Sequence, residues 1–114
     1  MASTVLESSM IKKIKRDVKS IPHTRIKKLW SSAANRDIDL LVVTHGLACF
    51  YEIKVKGEQP TPWQRGRLKF WQGSCADVGW FDDVDKCVMR IRHMASVGKI
   101  AQGHIAVYYM RDII

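Results

Sequence analysis

The chain lacks most of the features that would classify it at a glance. Its 114 residues hold only three cysteines, Cys49, Cys75 and Cys87, widely spaced and without a CxxC pair. That excludes a disulfide scaffold and argues against structural zinc. Cys49 and Cys87 fall on apolar faces and read as reduced core residues of a cytoplasmic protein. No apolar run approaches the ~20 residues a membrane helix needs, and no signal-peptide pattern opens the chain. The four histidines, His23, His45, His93 and His104, show no ligand spacing, and there are neither repeats nor low-complexity segments. Acidic residues are also scarce, 11 against 19 Lys and Arg, which leaves a formal charge of +8.

That charge is unevenly placed. Lys12, Lys13, Lys15, Arg16, Lys19, Arg25, Lys27 and Lys28 are opposed only by Asp17, and a second basic cluster holds Arg65, Arg67 and Lys69. Such asymmetry suits a polyanionic partner, with nucleic acid the commonest, and equally a solvated basic helix face that keeps the protein soluble. The length fits one domain spanning 1–114 that can bury its own core.

Periodicity gives the element order α-β-β-(β)-α-β-α-β, an α/β (α+β) fold with a mixed central sheet flanked by helices. A first helix is expected over Val5–Lys19, its Leu6, Met10, Ile14 and Val18 forming an apolar i, i+4 stripe and Thr4 with Glu7 a capping box. A short strand is expected over Ile26–Trp30. Thr61-Pro62-Trp63-Gln64 predicts a second helix to about Gln72, with Thr61 as N-cap, Pro62 at the first helical position and Gln64 closing a capping box. Ala76–Phe81 reads as a strand. Asp82-Asp83 then caps a third helix, in which Val84, Cys87, Val88, Ile91 and Met94 recur at helical spacing. Ala95–Gly103 reads as a loop, and His104–Met110 as a terminal strand whose apolar edge suits pairing with a second copy.

The stretch Asp39–Lys54, DLLVVTHGLACFYEIK, is the most informative. Two runs of strand formers flank His45-Gly46, which suits a two-residue type I′ turn, where both central residues need positive φ. In that register Thr44 pairs with Leu47 and Asp39 falls opposite Glu52. Opposed side chains lie about 4.5–5.5 Å apart at Cβ, and like charges there repel. A cation between them turns repulsion into attraction, and Lys54 shares the face of Glu52. Two carboxylates plus a backbone carbonyl suit Mg²⁺ or Mn²⁺. The competing account is a solvated face on which Lys54 and Lys56 neutralise both acids. The charged end of the second strand is expected at the sheet margin, open to solvent and substrate.

Ile38-Asp39-Leu40-Leu41, Glu52-Ile53-Lys54 and the helix-opening Thr61-Pro62-Trp63-Gln64 together resemble the PD-(D/E)XK nuclease superfamily, and more narrowly its VRR-Nuc branch of small stand-alone bacterial and phage nucleases. The likeness spans about residues 36–91. It implies a restriction-endonuclease-like α-β-β-β-α-β core and metal-dependent hydrolysis of DNA to leave 5′-phosphates. Asp39, Glu52 and the Ile53 carbonyl would hold Mg²⁺ or Mn²⁺, Lys54 and Gln64 would be catalytic, and Glu7 would add a further acid. It also implies branched DNA such as four-way junctions or flaps as substrate, a role in repair or recombination, action as a homodimer, and the cytoplasm of a bacterium or phage-infected host. Ile38 replaces the proline of the motif name, and the branch's name-giving arginines have no clear counterpart near Trp80-Phe81. Lys12, Lys13, Lys15, Arg16, Arg25, Lys27, Lys28, Arg65, Arg67 and Lys69 are the expected DNA contacts. The rival readings are a non-catalytic basic DNA-binding module and a structural subunit of a phage or repair assembly.

Overall fold

A computed structural model of the chain describes residues 2–29 and 40–105. Its elements are α1 (Ala2–Val18), β1 (Thr24–Lys28), β2 (Leu40–Thr44), β3 (Leu47–Ile53), α2 (Pro62–Trp71), β4 (Asp77–Phe81) and α3 (Val84–Ile105). The four strands form one sheet in the order β1-β2-β3-β4. The first three are antiparallel, and β4 runs parallel to β3 after the α2 crossover. The mixed sheet with flanking helices matches the expected α+β class.

The hairpin register is the one the turn residues predict. Thr44 pairs with Leu47 and the ladder runs to Leu40 opposite Tyr51. His45 (φ 47°) and Gly46 (φ 82°) both take the left-handed conformation a type I′ turn requires. Asp39 lies outside the described residues, so the 39–52 pairing is one step beyond the described ladder.

Strand alternation divides the sheet into two faces. Leu40, Val42, Cys49, Tyr51 and Ile53 are fully buried and pack with Ile11, Ile14 and Val18 of α1 and Cys87, Val88, Ile91 and Met94 of α3. On this face the Tyr51 hydroxyl donates to Asp77 Oδ2 at 2.6 Å, and Arg90 grips the same carboxylate through Nε and Nη2 at 2.6 and 2.8 Å. Burial alone would push the Asp77 carboxyl up, but these donors outweigh it and hold it below the usual range. Burial, reinforced by the Asp77 carboxylate, pushes the Tyr51 phenol well up, so it stays a donor. Cys49 and Cys87 are buried as expected, and burial pushes the Cys87 thiol up to about 12.

Four expectations are corrected. First, α1 begins at Ala2, so Thr4 lies inside the helix and is not its N-cap; Glu7 therefore has no capping position. Second, Leu6 is half-exposed, not core. A row spaced by four residues precesses about 40° per step around a helix of 3.6 residues per turn, so Leu6 has rotated away from Val18. Third, β1 is Thr24–Lys28, two residues earlier than expected.

Fourth, Ala95–Gly103 is helical and α3 continues to Ile105. His104 and Ile105 therefore do not open a strand, and residues 106–110 lie outside the described residues. Gly98, a breaker by propensity, sits where α3 crosses the hairpin turn. A Cβ there would come within 2.8 Å of His45 Cβ and 2.9 Å of the His45 carbonyl oxygen. Only glycine allows that approach, so its presence reports packing and not helix termination.

Candidate active site

Glu52 and Lys54 lie at the end of β3, and Gln64 of α2 reaches Glu52 there. Glu52 is on the sheet face opposite the core, paired with Trp80 of β4. Lys54 follows the strand's last residue, and its backbone N–H donates to the Phe81 carbonyl at 2.8 Å, extending the parallel pairing one step. The loop beyond is tied back by Gly57 N–H donating to Asp82 Oδ2 at 3.3 Å.

Gln64 is placed by the start of α2. Thr61 Oγ1 accepts from Gln64 N at 3.2 Å and Gln64 Oε1 accepts from Thr61 N at 2.9 Å, the reciprocal capping box the sequence predicts. With its oxygen committed to the cap, the Gln64 amide turns Nε2 toward Glu52 and donates to Oε1 at 2.9 Å. One side chain thus starts the helix and orients the carboxylate.

The two charged residues are more enclosed than the sequence suggests. Glu52 is 5% exposed and Lys54 8%. The open-margin expectation and the solvated-face account both fail, because α2 closes over Glu52 from one side and α1 approaches Lys54 from the other. Glu7 Oε1 of α1 lies 3.5 Å from Lys54 Nζ, the two side chains 21% and 11% exposed. Sequence reasoning singled out Glu7 as an extra acid, but its ion pair with Lys54, across 47 residues of chain, has no local signal. Among the described residues no set of three His, Cys, Asp or Glu converges as a ready metal cage. Asp39, the expected second carboxylate, lies outside the described residues.

The basic residues distribute over several surfaces. Lys12, Lys13, Lys15 and Arg16 are exposed on α1, which covers the core face. Arg25 and Lys27 are exposed and pair across β2 with Val43 and Leu41. They therefore point, like Phe50 and Glu52, to the opposite face. Lys28, on the α1 side, donates to Ser8 Oγ at 3.3 Å. On α2, Arg65 reaches Gln59 Oε1 at 2.9 Å, Lys69 is exposed, and Arg67 stacks over Phe70 at 5.4 Å. Trp63 and Phe70 stand exposed on this helix, while Trp71 stacks on Phe50 at 4.9 Å. Among the described residues the Glu52 face thus carries exposed Arg25 and Lys27 at β1 and an aromatic, basic helix at its other side.

Among solved structures, one described as a VRR_NUC domain superposes with a TM-score of 0.59 at 25% identity, over 73% of this chain and 94% of that one. The chain has a VRR-Nuc-type nuclease fold. No protein-family model and no curated protein matches it. Among the described residues no helix is long and apolar enough to cross a membrane.

Proposed function

We infer that this VRR-Nuc-fold chain is a Mg²⁺- or Mn²⁺-dependent deoxyribonuclease that hydrolyses phosphodiester bonds, with Glu52, Lys54 and Gln64 at its catalytic centre. The observation that carries the reading is the convergence of a buried carboxylate, a buried ammonium and a pre-aimed amide at one strand end. Such a group is costly to enclose without a role, since buried charges need compensation.

The donor set fits a hard divalent ion. The Glu52 carboxylate and the Ile53 carbonyl, with Asp39 opening the hairpin, are all oxygen ligands. Bound there, such an ion would polarise a phosphoryl oxygen and lower the pKa of water. The chain's own groups do the rest. Gln64 fixes which Glu52 oxygen is engaged and which is left to the site. Lys54, held by Glu7, places positive charge against the phosphoryl oxygens as negative charge develops. Water adds at phosphorus, the bond to the leaving oxygen breaks, and a 5′-phosphate and a 3′-hydroxyl result.

Branched DNA, such as four-way junctions or flaps, is the proposed substrate, in repair or recombination. The exposed aromatic and basic face of α2 suits a structure with unstacked bases and closely spaced phosphates. A symmetric junction takes two cuts, which suits a twofold pair of chains.

The test incubates the protein with Mg²⁺ or Mn²⁺ and labelled duplex, flap, splayed-arm and four-way DNA, beside Asp39→Asn and Lys54→Ala. Metal-dependent cutting that both variants lose is expected. Binding without cutting under every metal condition would replace this reading with a non-catalytic DNA-binding module. Absence of salt-sensitive DNA binding would point to a structural subunit.

A further inference from the structure

A second polar pocket lies at the other end of the sheet. The chain entering β1, the tip of the β2–β3 turn and the later turns of α3 enclose an open cavity of about 430 Å³. Its polar lining among the described residues is Ser20, His23, His45, Arg92, Ser96 and Lys99, none of them a carboxylate. Arg92, Ser96 and Lys99 recur at i, i+4 and i+7, so α3 presents both cations on one face. His23 and His45 meet edge to face, centroids 5.3 Å apart, and His45 N–H donates to the His23 carbonyl at 3.0 Å. His45 is only 9% exposed, and its ring contacts His23 without a hydrogen-bond partner among the described residues.

Among the described residues this group has no compensating carboxylate, unlike its neighbours. Arg90, two residues before Arg92 on the same helix, is neutralised by Asp77. Neither Arg92 nor Lys99 has an ion-pair partner among the described residues. Two fixed cations and two imidazoles share one concavity, a place where positive potential concentrates and an anion is drawn in. Ser96 Oγ donates to the Arg92 carbonyl at 3.2 Å, so its proton is committed and Ser20 is the hydroxyl left to donate. The lining therefore offers cations and N–H and O–H donors, the chemistry that recognises a tetrahedral oxyanion. A solvated basic helix face would need neither the concavity nor an enclosed histidine.

We propose that this pocket binds phosphate and, on the DNA substrate inferred above, holds a backbone phosphate far from the one at Glu52. Only the DNA half rests on that functional reading. From the hairpin turn to Glu52 is about six residues of strand, or about 20 Å. Phosphates along one strand of a B-form duplex are about 3.4 Å apart along the axis, so the gripped phosphate lies on the order of six nucleotides away, or on a second arm. The pocket is then an anchor that sets how DNA lies across the sheet.

Two measurements test this separately from cleavage. The imidazole NMR signals of His23 and His45 are followed while inorganic phosphate is titrated into the wild-type chain, Arg92→Ala/Lys99→Ala and Arg92→Lys/Lys99→Arg. Saturable shifts in the wild type and the charge-conserving pair, lost in the alanine pair, are expected. In parallel, anisotropy with four-way DNA in EDTA over a salt series should give a log–log slope shallower by about one in the alanine pair, one phosphate contact being lost. Histidine shifts with an unchanged DNA slope would overturn the DNA half and leave a site for a free phosphate ester. Weakened DNA binding without phosphate-induced shifts would mean diffuse charge and overturn the pocket. Neither effect would overturn both halves.

Discussion

Gln64 and Thr61 share one capping box but only Gln64 touches Glu52, so two alanine substitutions separate a helix start from a catalytic alignment. In Thr61→Ala the Oγ1 acceptor for Gln64 N disappears while the Gln64–Glu52 contact has no direct loss. Loss of an N-cap costs about 1 kcal/mol. For a domain of this size that lowers Tm by about 4 °C. Gln64→Ala removes the other half of the box, with a similar thermal loss, and also the 2.9 Å donor to Glu52. A hydrogen bond to a charged group is worth about 1.5–3 kcal/mol. If that energy is spent holding Glu52 in its working orientation, kcat/KM falls by roughly 10- to 100-fold.

The assay is thermal unfolding of both variants beside single-turnover cleavage of labelled four-way DNA in Mg²⁺. The expected pattern is two similar melting curves and two different rates, with Thr61→Ala within about threefold of wild type. Equal rate losses would mean that the helix start, and not the contact with Glu52, is what activity needs. Undiminished cleavage by Gln64→Ala would remove Gln64 from the catalytic centre altogether.

Other substitutions probe the rest of the structure. Glu7→Gln should lower the cleavage rate by about tenfold by releasing Lys54, and raising Mg²⁺ should not restore it; rescue by Mg²⁺ would instead make Glu7 a metal ligand. Gly98→Ala should destabilise by about 1–3 kcal/mol in urea melts despite alanine's higher helix propensity, because the new methyl meets His45 and Thr44 backbone at 2.9–3.0 Å. A neutral or stabilising outcome would refute the close crossing of α3 over the turn. Asp77 is held below its ordinary pKa, so its stabilisation is complete above the unfolded value near 3.9 and is lost as pH falls through the lower folded value. Asp77→Asn should therefore flatten the acid limb of stability against pH below about 4, checked by urea unfolding across pH.

What was legible in the sequence was local. His45-Gly46 set the hairpin register because few residue pairs accept two positive φ angles, and register fixed which of Tyr51 and Glu52 entered the core. Thr61-Pro62-Trp63-Gln64 specified its helix start because cap, proline and reciprocal glutamine agree. Two misreadings came from local rules overridden at a distance. Ala95–Gly103 looked like a loop and is helix that crosses the turn at Gly98, and Thr4 with Glu7 looked like a cap and lies within a helix that starts earlier. The burial of Glu52 and Lys54 depends on α2 and α1 arriving from outside the hairpin, so no pattern inside it could reveal that enclosure.

The placement of Glu52 is therefore decided far from Glu52. In β3, Cys49, Tyr51 and Ile53 are fully buried on one face while Phe50 and Glu52 serve the other. A slip of one residue would put the carboxylate into the apolar core and the Tyr51 ring onto the opposite face. The two-residue turn at His45-Gly46 forbids that slip, and α3 clamps the turn where Gly98 meets His45 and where Gln102 abuts Gly46. The same turn contributes His45 to the phosphate pocket. Catalytic alignment at one end of the strand and the anchor at the other then share one structural cause. A substitution that loosens the turn should weaken both together, whereas one at Gln64 should spare the pocket.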